Sequence, residues 1–383
     1  MSTAAQITVV GAGFAALTGI RRLRRRLPRA EITLVAPAAQ FVYLPSLIWV
    51  PFGLRSGADL RHDIRPLLQA LRVNYVQARA TGLSADGRTL VTDAGDVDND
   101  ALLIASGGRF IGKPAGTEHV LTLCAGIESA ETIGARLRAM QGGTVALGFG
   151  TNPQEQGAMR GGPMFELLFG LERWLRRQGK RDAFRLVFFN AAPQPGKRLG
   201  EKAVQRLLNH MRKRGIETHL GHKLTGFDSN GVNTEGGAIP ADLILFMPGM
   251  TGPAWAEGTS LPLSPGGLIR AAATCQVDGF ERVYVAGDAG SYPGPEWMPK
   301  QAHMADLQAV AAAENIARNL DGQAATREFR PELICIIDTL EKGILVYRDP
   351  KRGLVLPPLR PMHWAKRYFE KLYLSRLLDT RNT

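Results

Sequence analysis

A glycine-rich segment between a predicted strand and a predicted helix constrains the fold most strongly. Residues 11–16 read Gly-Ala-Gly-Phe-Ala-Ala and directly follow the apolar run Ile7–Val10. In a G-x-G-x-x-G/A turn, the first glycine allows the tight turn, the second lets a pyrophosphate reach the backbone, and the small third residue lets helix and strand pack. The following helix N-terminus offers unpaired N–H groups to phosphates. The segment predicts a dinucleotide-binding site with these phosphate-binding residues: Gly11, Gly13, Ala15 and Ala16.

The next residues complete a parallel βαβ unit. Residues 19–27 predict a helix that Pro28 ends, and residues 32–35 predict the second strand. The end of this strand usually supplies a carboxylate for the ribose hydroxyls, but here Ala36 and Pro37 follow.

Two later strand ends predict that the nucleotide is FAD. Residues 283–290 form an apolar run that ends in Ala-Gly-Asp, where the carboxylate of Asp288 can accept a hydrogen bond from a flavin ribityl chain and Gly287 allows close approach. Residues 104–108 also end a strand in small residues, and the predicted contacts there are Ala105, Ser106 and Gly107. Three such segments in this order favour one shared flavin site over three unrelated turns.

A second αβ region lies between these segments. Predicted strands at 145–147, 185–189 and 243–247 alternate with helices at 165–177 and 201–214. Gly148-Phe149-Gly150 begins like a nucleotide motif, but a polar loop over 151–162 separates it from the helix. That helix N-terminus therefore cannot lie against a pyrophosphate, and we expect a degenerate nicotinamide site.

Charge and cysteine content limit the partners. The chain has 47 Lys+Arg against 35 Asp+Glu, a formal charge of +12, which suits nucleic acid, anionic lipid or simply a basic surface. No nucleic-acid recognition motif is found, so we expect no nucleic-acid partner. The three cysteines are far apart and form no CxxC, which argues against a zinc site, and we expect no metal. Without a secretory signal or an apolar run of about 18 residues, we expect a cytoplasmic protein that is peripheral on the inner face of the membrane.

The last segment, residues 331–383, predicts a hairpin followed by an aromatic, basic helix over 362–378. By helical periodicity one half carries Trp364, Ala365, Tyr368, Phe369, Leu372 and Tyr373. The other half carries Lys366, Arg367, Glu370 and Lys371. Aromatics flanked by basic residues suit a membrane interface and a lipid-soluble acceptor such as quinone. A helix docked on its own core or on a second subunit is the alternative, which leaves a homo-oligomer open.

These segments resemble the two-dinucleotide-fold flavoproteins, and within them the sulfide:quinone oxidoreductase and flavocytochrome c sulfide dehydrogenase group. Residues 41–53, FVYLPSLIWVPFG, resemble a segment that lies beside the flavin in that group and place Pro45 there. Residues 247–252 and 299–304 match further signatures, so the resemblance implies that Lys300 and Gln301 lie near the flavin, Lys300 opening a long helix over 300–320. The tail around Cys335 and residues 363–366 matches as well.

The resemblance also implies a redox site from which this chain departs. The group relies on two cysteines that form a disulfide over the flavin. Cys335 occupies one position and the other reads Arg160, followed by a matching G-P-x-x-E that ends at Glu166. Cys124 matches a further family cysteine, whereas Cys275 is expected to fill the core. Arg160 could lower the pKa of Cys335 or bind an anionic donor, and a purely structural Cys335 is the alternative.

The sequence therefore predicts an α/β fold with two Rossmann-like domains and a C-terminal membrane-facing segment. The expected divisions are a first FAD-binding part (1–110), a second Rossmann-like domain (111–250), a second FAD-binding part (251–330) and the interface segment (331–383). The expected function is FAD-dependent electron transfer from a small donor, such as sulfide or another sulfur species, to quinone. A type II NADH:quinone oxidoreductase and a catalytically altered electron-transfer or sensor protein at the membrane are the alternatives.

Overall fold

The structure is a computed structural model that describes residues 4–111 and 114–381. The α-helices of these residues are α1 (Phe14–Arg26), α2 (Gly57–Leu60), α3 (Arg65–Ala70), α4 (Ile127–Ala139), α5 (Gly161–Arg177), α6 (Glu201–Lys213), α7 (Ala302–Leu320) and α8 (Arg360–Leu377). A 3₁₀ helix covers Leu44–Phe52.

The strands follow in chain order. They are β1 (Gln6–Val10), β2 (Glu31–Ala36), β3 (Gln40–Val42), β4 (Arg61–Asp63), β5 (Val73–Gln77), β6 (Ala80–Leu83), β7 (Thr89–Thr92), β8 (Val97–Asp98), β9 (Ala101–Ile104), β10 (Arg109–Phe110), β11 (Val120–Leu121), β12 (Gly143–Phe149), β13 (Phe184–Asn190), β14 (Ile216–Leu220), β15 (Leu224–Asp228), β16 (Gly231–Thr234), β17 (Gly237–Pro240), β18 (Leu243–Met247), β19 (Met250–Thr251), β20 (Ile269–Arg270), β21 (Val283–Val285), β22 (Gly290–Ser291), β23 (Leu333–Asp338), β24 (Gly343–Arg348) and β25 (Gly353–Val355).

The first parallel sheet brings together segments that are far apart in sequence. Its strand order is β21-β9-β1-β2-β5. Val10 lies opposite Ile104, and Ile104 lies opposite Val285. Because parallel strands end at one edge, the turns after β1, β9 and β21 meet there. α1 packs closely on this sheet, since a Cβ at Gly19 would lie 2.6 Å from the Leu103 side chain.

The second parallel sheet has the order β11-β18-β12-β13-β14. Helices cover one face of its apolar central strands, and the antiparallel sheet β15-β16-β17 covers the other. α5 is buried over most of its length through residues such as Phe165, Leu168 and Leu171. Two parallel sheets with packed helices confirm the predicted α/β, Rossmann-like fold. The division of the chain into domains at residues 110, 250 and 330 stays a prediction.

The C-terminal segment forms a three-stranded antiparallel sheet, β23-β24-β25, followed by α8. The helix does not divide into the two halves that the periodicity predicted. Tyr373 lies inward and hydrogen-bonds Asp306, while Glu370 is buried because Arg55 binds both of its carboxylate oxygens. Trp364, Tyr368 and Phe369 are 62%, 67% and 56% exposed. In the described part of the chain, no helix has both the length and the apolarity needed to cross a bilayer.

Candidate active site

The turn between β1 and α1 has the geometry that a dinucleotide phosphate requires. Gly11 has φ +106°, and a Cβ there would lie 2.4 Å from the carbonyl oxygen of Ala105, so only glycine fits. Gly13 caps α1 without a side-chain hydrogen bond, and a Cβ added to it would meet nothing within 4 Å. The first turn of α1, which contains Ala15 and Ala16, therefore faces open space with its N–H groups unused. This space fits a pyrophosphate.

The turn after β21 lies beside the same space. Gly287 has φ +80°, and a Cβ there would approach Ala15 to 3.5 Å. Its N–H donates to the buried Gln308 side chain at 2.9 Å, which orients the following Asp288. Gly107 also has a positive φ, +72°, with no heavy atom near an added Cβ, while the neighbouring Ser106 hydroxyl contacts Trp255 at 3.3 Å. The predicted small residues thus line one cleft at the carboxyl edge of the first sheet.

One buried polar atom beside this cleft, Gln301 Oε1, has no hydrogen-bond partner in the described residues. Buried polar groups are almost always hydrogen-bonded, so this atom indicates a missing ligand or water. Gln301 is the N-cap of α7 and directly follows Lys300, which contacts the turn after β21. Ser46 Oγ and Trp49 Nε1, in the 3₁₀ helix that contains Pro45, are also buried without a partner. The residues present fit a flavin nucleotide.

Lys300 lies in the cleft but does not open the long helix as predicted. α7 begins at Ala302 with Gln301 as its cap, because the Lys300 ammonium group turns back to donate to the carbonyl oxygens of Asp288, at 3.4 Å, and Gly290. Burial lowers the pKa of Lys300 to about 8, against the attraction of the Asp288 carboxylate. The side chain therefore keeps a positive charge at neutral pH.

Arg160, which occupies the position of the missing cysteine, forms an ion pair with the Asp288 carboxylate. Burial disfavours its charge, but the attraction of Asp288 outweighs burial and holds the pKa of Arg160 above its ordinary value. Arg160 is also the N-cap residue of α5. Its ion pair with Asp288 places the start of this helix beside the turn after β21.

Cys335 lies next to the same end of α5. A Cβ added to Gly162 would lie 3.7 Å from the Cys335 sulfur. Burial raises the pKa of Cys335 to about 12, and Glu166 adds to this while Lys366 opposes it. The expectation that Arg160 lowers the pKa of Cys335 is not supported, because the arginine influences Cys124 instead. Burial still raises the pKa of Cys124 to about 11, so both thiols are protonated at neutral pH.

The cysteines of the chain are all free thiols in this structure. Cys275 is fully buried in the core of the first sheet, as expected for an apolar filler. The described residues contain no group of three His, Cys, Asp or Glu side chains arranged for a metal ion.

A buried ion pair joins α5 to the C-terminal helix. The Lys366 ammonium group donates to the Glu166 carboxylate and to the Ile336 carbonyl oxygen at 3.3 Å. Burial raises the pKa of Glu166 to about 7, although Lys366 pulls in the opposite direction. Lys366 also lies 5.6 Å from the ring centre of the fully buried Trp49. The sequence singled out Glu166 but not its partner, since Lys366 was assigned to the polar outer half of its helix.

A second buried pair lies one helical turn away. The imidazole Nδ1 of His363 contacts a carboxylate oxygen of Asp338 at 2.7 Å, and both side chains are buried. His363 also packs edge-on against Trp49, with ring centres 6.2 Å apart. Sequence reasoning missed Asp338, because an acid at the end of a short hairpin strand carries no separate signal.

The loop between β12 and α5 is fixed to strand β19 and to the segment that follows it, residues 264–266. The amide of the buried Asn152 donates to the carbonyl oxygens of Met250 and Gly266, at 2.9 and 2.8 Å. Ser264 donates to the Glu155 carboxylate, and the Met250 N–H donates to the Ala158 carbonyl at 2.8 Å. This closes residues 151–160 onto the protein instead of leaving a helix N-terminus open to a second dinucleotide.

The two parallel sheets and the glycine turn define the class of flavoproteins with two Rossmann-like units. The chain belongs to the pyridine nucleotide-disulphide oxidoreductase family, whose pattern matches residues 5–309. It is accordingly an FAD-dependent oxidoreductase, as the sequence predicted.

Individual relatives resemble nearly the whole chain. A sulfide-quinone reductase from Aquifex aeolicus is 24% identical over 402 residues, which cover 98% of this chain and 91% of that protein. A type II NADH:quinone oxidoreductase from Staphylococcus saprophyticus is 23% identical over 395 residues, covering 98% and 94%. The X-ray structure of the Aquifex aeolicus sulfide:quinone oxidoreductase matches with a TM-score of 0.89 at 22% identity, covering 98% and 92%. This last likeness shows the shared fold.

Proposed function

We propose that the chain passes electrons from a small donor, not a nicotinamide, through FAD to a quinone, as a sulfide:quinone reductase-like enzyme. The observation that carries this is the loop 151–160, which Asn152 holds to Met250 and Gly266 and which separates β12 from the N-terminus of α5. The quinone is supported by relatives named as quinone-linked in both similar groups. The loop favours the sulfide-quinone reductase group over the NADH-linked one.

The predicted small residues at the edge of the first sheet would hold the cofactor. Gly11, Gly13, Ala15 and Ala16 would bind the diphosphate of FAD, and Asp288, Ser106 and Gly107 would contact the rest of the molecule. When bound, FAD accepts two electrons and releases them to the second substrate. The positive charge of Lys300 would stabilise negative charge on the reduced flavin ring. Because the side chain is buried, solvent screens this charge little.

Glu166 and Lys366 are the groups that we expect to supply protons when the quinone is reduced to quinol. Forming a quinol takes up two protons, and a buried carboxyl with a pKa of about 7 exchanges protons readily at neutral pH. Their pair lies between α5 and α8, and α8 exposes aromatic side chains on its outer face. We infer that a quinone approaches along α8.

The membrane contact that we propose lies in residues 361–383, of which 361–381 are described. Trp364, Tyr368 and Phe369 form its exposed aromatic patch. Replacing Trp364 and Tyr368 by serine should reduce sedimentation with vesicles while flavin content stays normal. Val91→Ser, which removes an apolar side chain that is 36% exposed in β7, outside this patch, serves as control. Equal binding by both variants would contradict the assignment.

Donor screening by stopped-flow absorbance tests the function as a whole. The oxidised holoenzyme is mixed separately with sulfide, with other small sulfur anions and with NADH, and bleaching of the flavin is followed. We expect bleaching by a small donor, reoxidation by a soluble quinone, and no rapid bleaching by NADH. Fast reduction by NADH would instead support the type II NADH:quinone alternative.

The catalytically altered electron-transfer or sensor protein remains a second candidate for one reason. Arg160 replaces a thiol in the redox pocket and is held there by Asp288. If no donor bleaches the flavin but an artificial electron donor still supports quinone reduction, this second candidate is favoured.

A further inference from the structure

A cavity lined by arginines lies at the far end of the first Rossmann-like unit, away from the flavin cleft. Its volume is about 310 Å³, and it opens where α1 and α3 both end. The side chains of Arg21, Arg24, Arg25 and Arg72 line it. The proposed electron transfer uses none of them.

Arg24 forms the wall of this cavity. The side chain is buried and its nitrogens donate to the carbonyl oxygens of Leu71, Leu27, Pro28, Ala30 and Arg72, at 2.7 to 3.4 Å. These carbonyls lie at the ends of α1 and α3 and in the segment before β2, and their oxygens would otherwise repel an anion. Arg24 thus neutralises the floor and keeps a fixed positive charge there.

The other arginines are held around the opening. Arg21 donates to the carbonyl oxygens of Leu377 and Asp379, at 3.3 and 2.7 Å, and Arg72 donates to that of Pro28 at 3.1 Å. Arg25 is exposed, and within residues 4–111 and 114–381 it makes no ion pair or hydrogen bond. Neither Arg25 nor Arg72 has a carboxylate partner among these residues.

The charges in this cavity repel one another. Burial and then the charge of Arg25 lower the pKa of Arg21, although the carboxylate of Asp379 opposes them. Burial and then the charge of Arg72 lower the pKa of Arg24. Arg21 and Arg24 donate to backbone carbonyl oxygens and contribute positive charge, while Arg25 and Arg72 line the same cavity with N–H donors still available. This arrangement favours binding of an anion that accepts hydrogen bonds.

Phosphate fits this requirement best, since its oxygens match the planar fork of guanidinium donors. The position of the cavity narrows the source. Arg21 is bonded to the end of α8, whose outer face carries the exposed Trp364, Tyr368 and Phe369. A phosphate here would lie next to the C-terminal end of α8, within the residues 361–383 that we assign to membrane contact.

We propose that this cavity is a binding site for the phosphate group of a phosphate ester, with the headgroup of an anionic phospholipid as one source and a soluble phosphate ester as the other. The site does not depend on the electron donor or the acceptor. It gives the basic first helix a function that the flavin does not explain.

The test compares Arg25→Gln with Arg29→Gln in the full-length holoenzyme. Both residues are exposed and both substitutions remove one charge near the end of α1, but Arg29 does not line the cavity. Binding is measured by calorimetry with inorganic phosphate and glycerol 3-phosphate. It is measured separately by sedimentation with phosphatidylcholine vesicles that do or do not contain phosphatidylglycerol. Melting temperature and flavin content establish that both variants are folded.

We expect Arg25→Gln to weaken phosphate binding by about tenfold, the usual loss for one charge-assisted hydrogen bond, and Arg29→Gln to change it little. A selective loss with phosphatidylglycerol vesicles identifies the lipid source, and a selective loss with the soluble esters alone identifies the other source. The proposal is overturned if the wild type binds neither probe, or if the two variants lose affinity equally.

Discussion

The two strand-to-helix turns of the Rossmann-like units begin alike and end differently. After β1, helix α1 starts at Phe14, directly behind Gly13, and its first turn faces open space. After β12, residues 150–160 intervene before α5, and Asn152 fixes them to Met250 in β19 and to Gly266. The end of α5 then meets Asp288 through Arg160 and Cys335 through Gly162. The N-terminus of α1 is therefore open to a phosphate, whereas the N-terminus of α5 lies beside Asp288 and Cys335.

The first turn should depend completely on its glycine. We expect Gly13→Val to abolish FAD binding, because the side chain would fill the space of the pyrophosphate. Flavin absorbance per protein chain measures the loss. Gly157→Val is the matched control in the second loop, where an added Cβ also meets nothing within 4 Å. Retention of flavin by Gly13→Val, or its loss from both variants, would break the comparison.

The acid in α5 should set the pH dependence of quinol formation. The pKa of Glu166 is raised to about 7, so its protonated form predominates below about pH 7 and is lost as the pH rises through that value. We expect the rate of quinone reduction to fall over the same range. Glu166→Gln should lower the rate by about a hundredfold and remove this limb of the profile.

The donor half-reaction provides the control for that variant. Reduction of the flavin should keep its rate in Glu166→Gln, because the residue acts on the acceptor side. An unchanged pH profile of quinone reduction would show that Glu166 is merely structural.

The loop should contribute to stability rather than to flavin binding. We expect Asn152→Ala to lower the free energy of unfolding by about 2 kcal/mol, since two buried hydrogen bonds are lost. Gln154→Ala, in the same loop but exposed, should stay within about 0.5 kcal/mol of the wild type. Thermal unfolding of the holoenzymes measures both. A stable Asn152→Ala protein whose flavin is then reduced by NADH would show that the loop only screens an intact nucleotide site.

The smallest expected effect is a gain at the start of α5. Arg160→Cys places a thiol two residues before Gly162, whose added Cβ would lie 3.7 Å from the Cys335 sulfur, so we expect the new thiol to pair with Cys335 as a disulfide. We expect a several-fold rise in sulfide-dependent quinone reduction over a low wild-type rate. Cys335→Ser in the same background should remove the gain. High wild-type turnover with sulfide that survives Cys335→Ser would contradict this assignment of the site.

The first sheet could be predicted because its signals are local. The glycines at 11 and 13 need a positive φ or open space, and these needs leave a direct trace in the residue type. The edge of the sheet was predictable because parallel strands end together, so the turns that contain Ala105 and Asp288 lie at the same edge as Gly11. The α/β fold, the family, the FAD cofactor and the oxidoreductase function are confirmed, while the individual site residues stay predictions.

The polar connections of α8 could not be predicted because they depend on partners that are distant in sequence. Periodicity puts Lys366 and Glu370 among the solvent-exposed charges. In the structure, the mostly buried Lys366 pairs with Glu166, and the buried Glu370 pairs with Arg55. Likewise, the effect of Arg160 on Cys335 was inferred from a motif. Which charges act on a buried thiol can be known only from three-dimensional positions. In the structure, the charge of Arg160 acts on the pKa of Cys124, and the charges of Glu166 and Lys366 act on the pKa of Cys335.

The strand order of the first sheet has a consequence for biosynthesis. β21, which precedes Asp288, pairs directly with β9, although the residues of the second sheet lie between these two strands in the sequence. The nucleotide cleft therefore lacks one of its strands until residue 288 has left the ribosome. The second sheet is continuous in sequence and can form earlier, while the amino-terminal strands wait for their neighbour. We therefore expect FAD to bind late in synthesis, after the second sheet has formed.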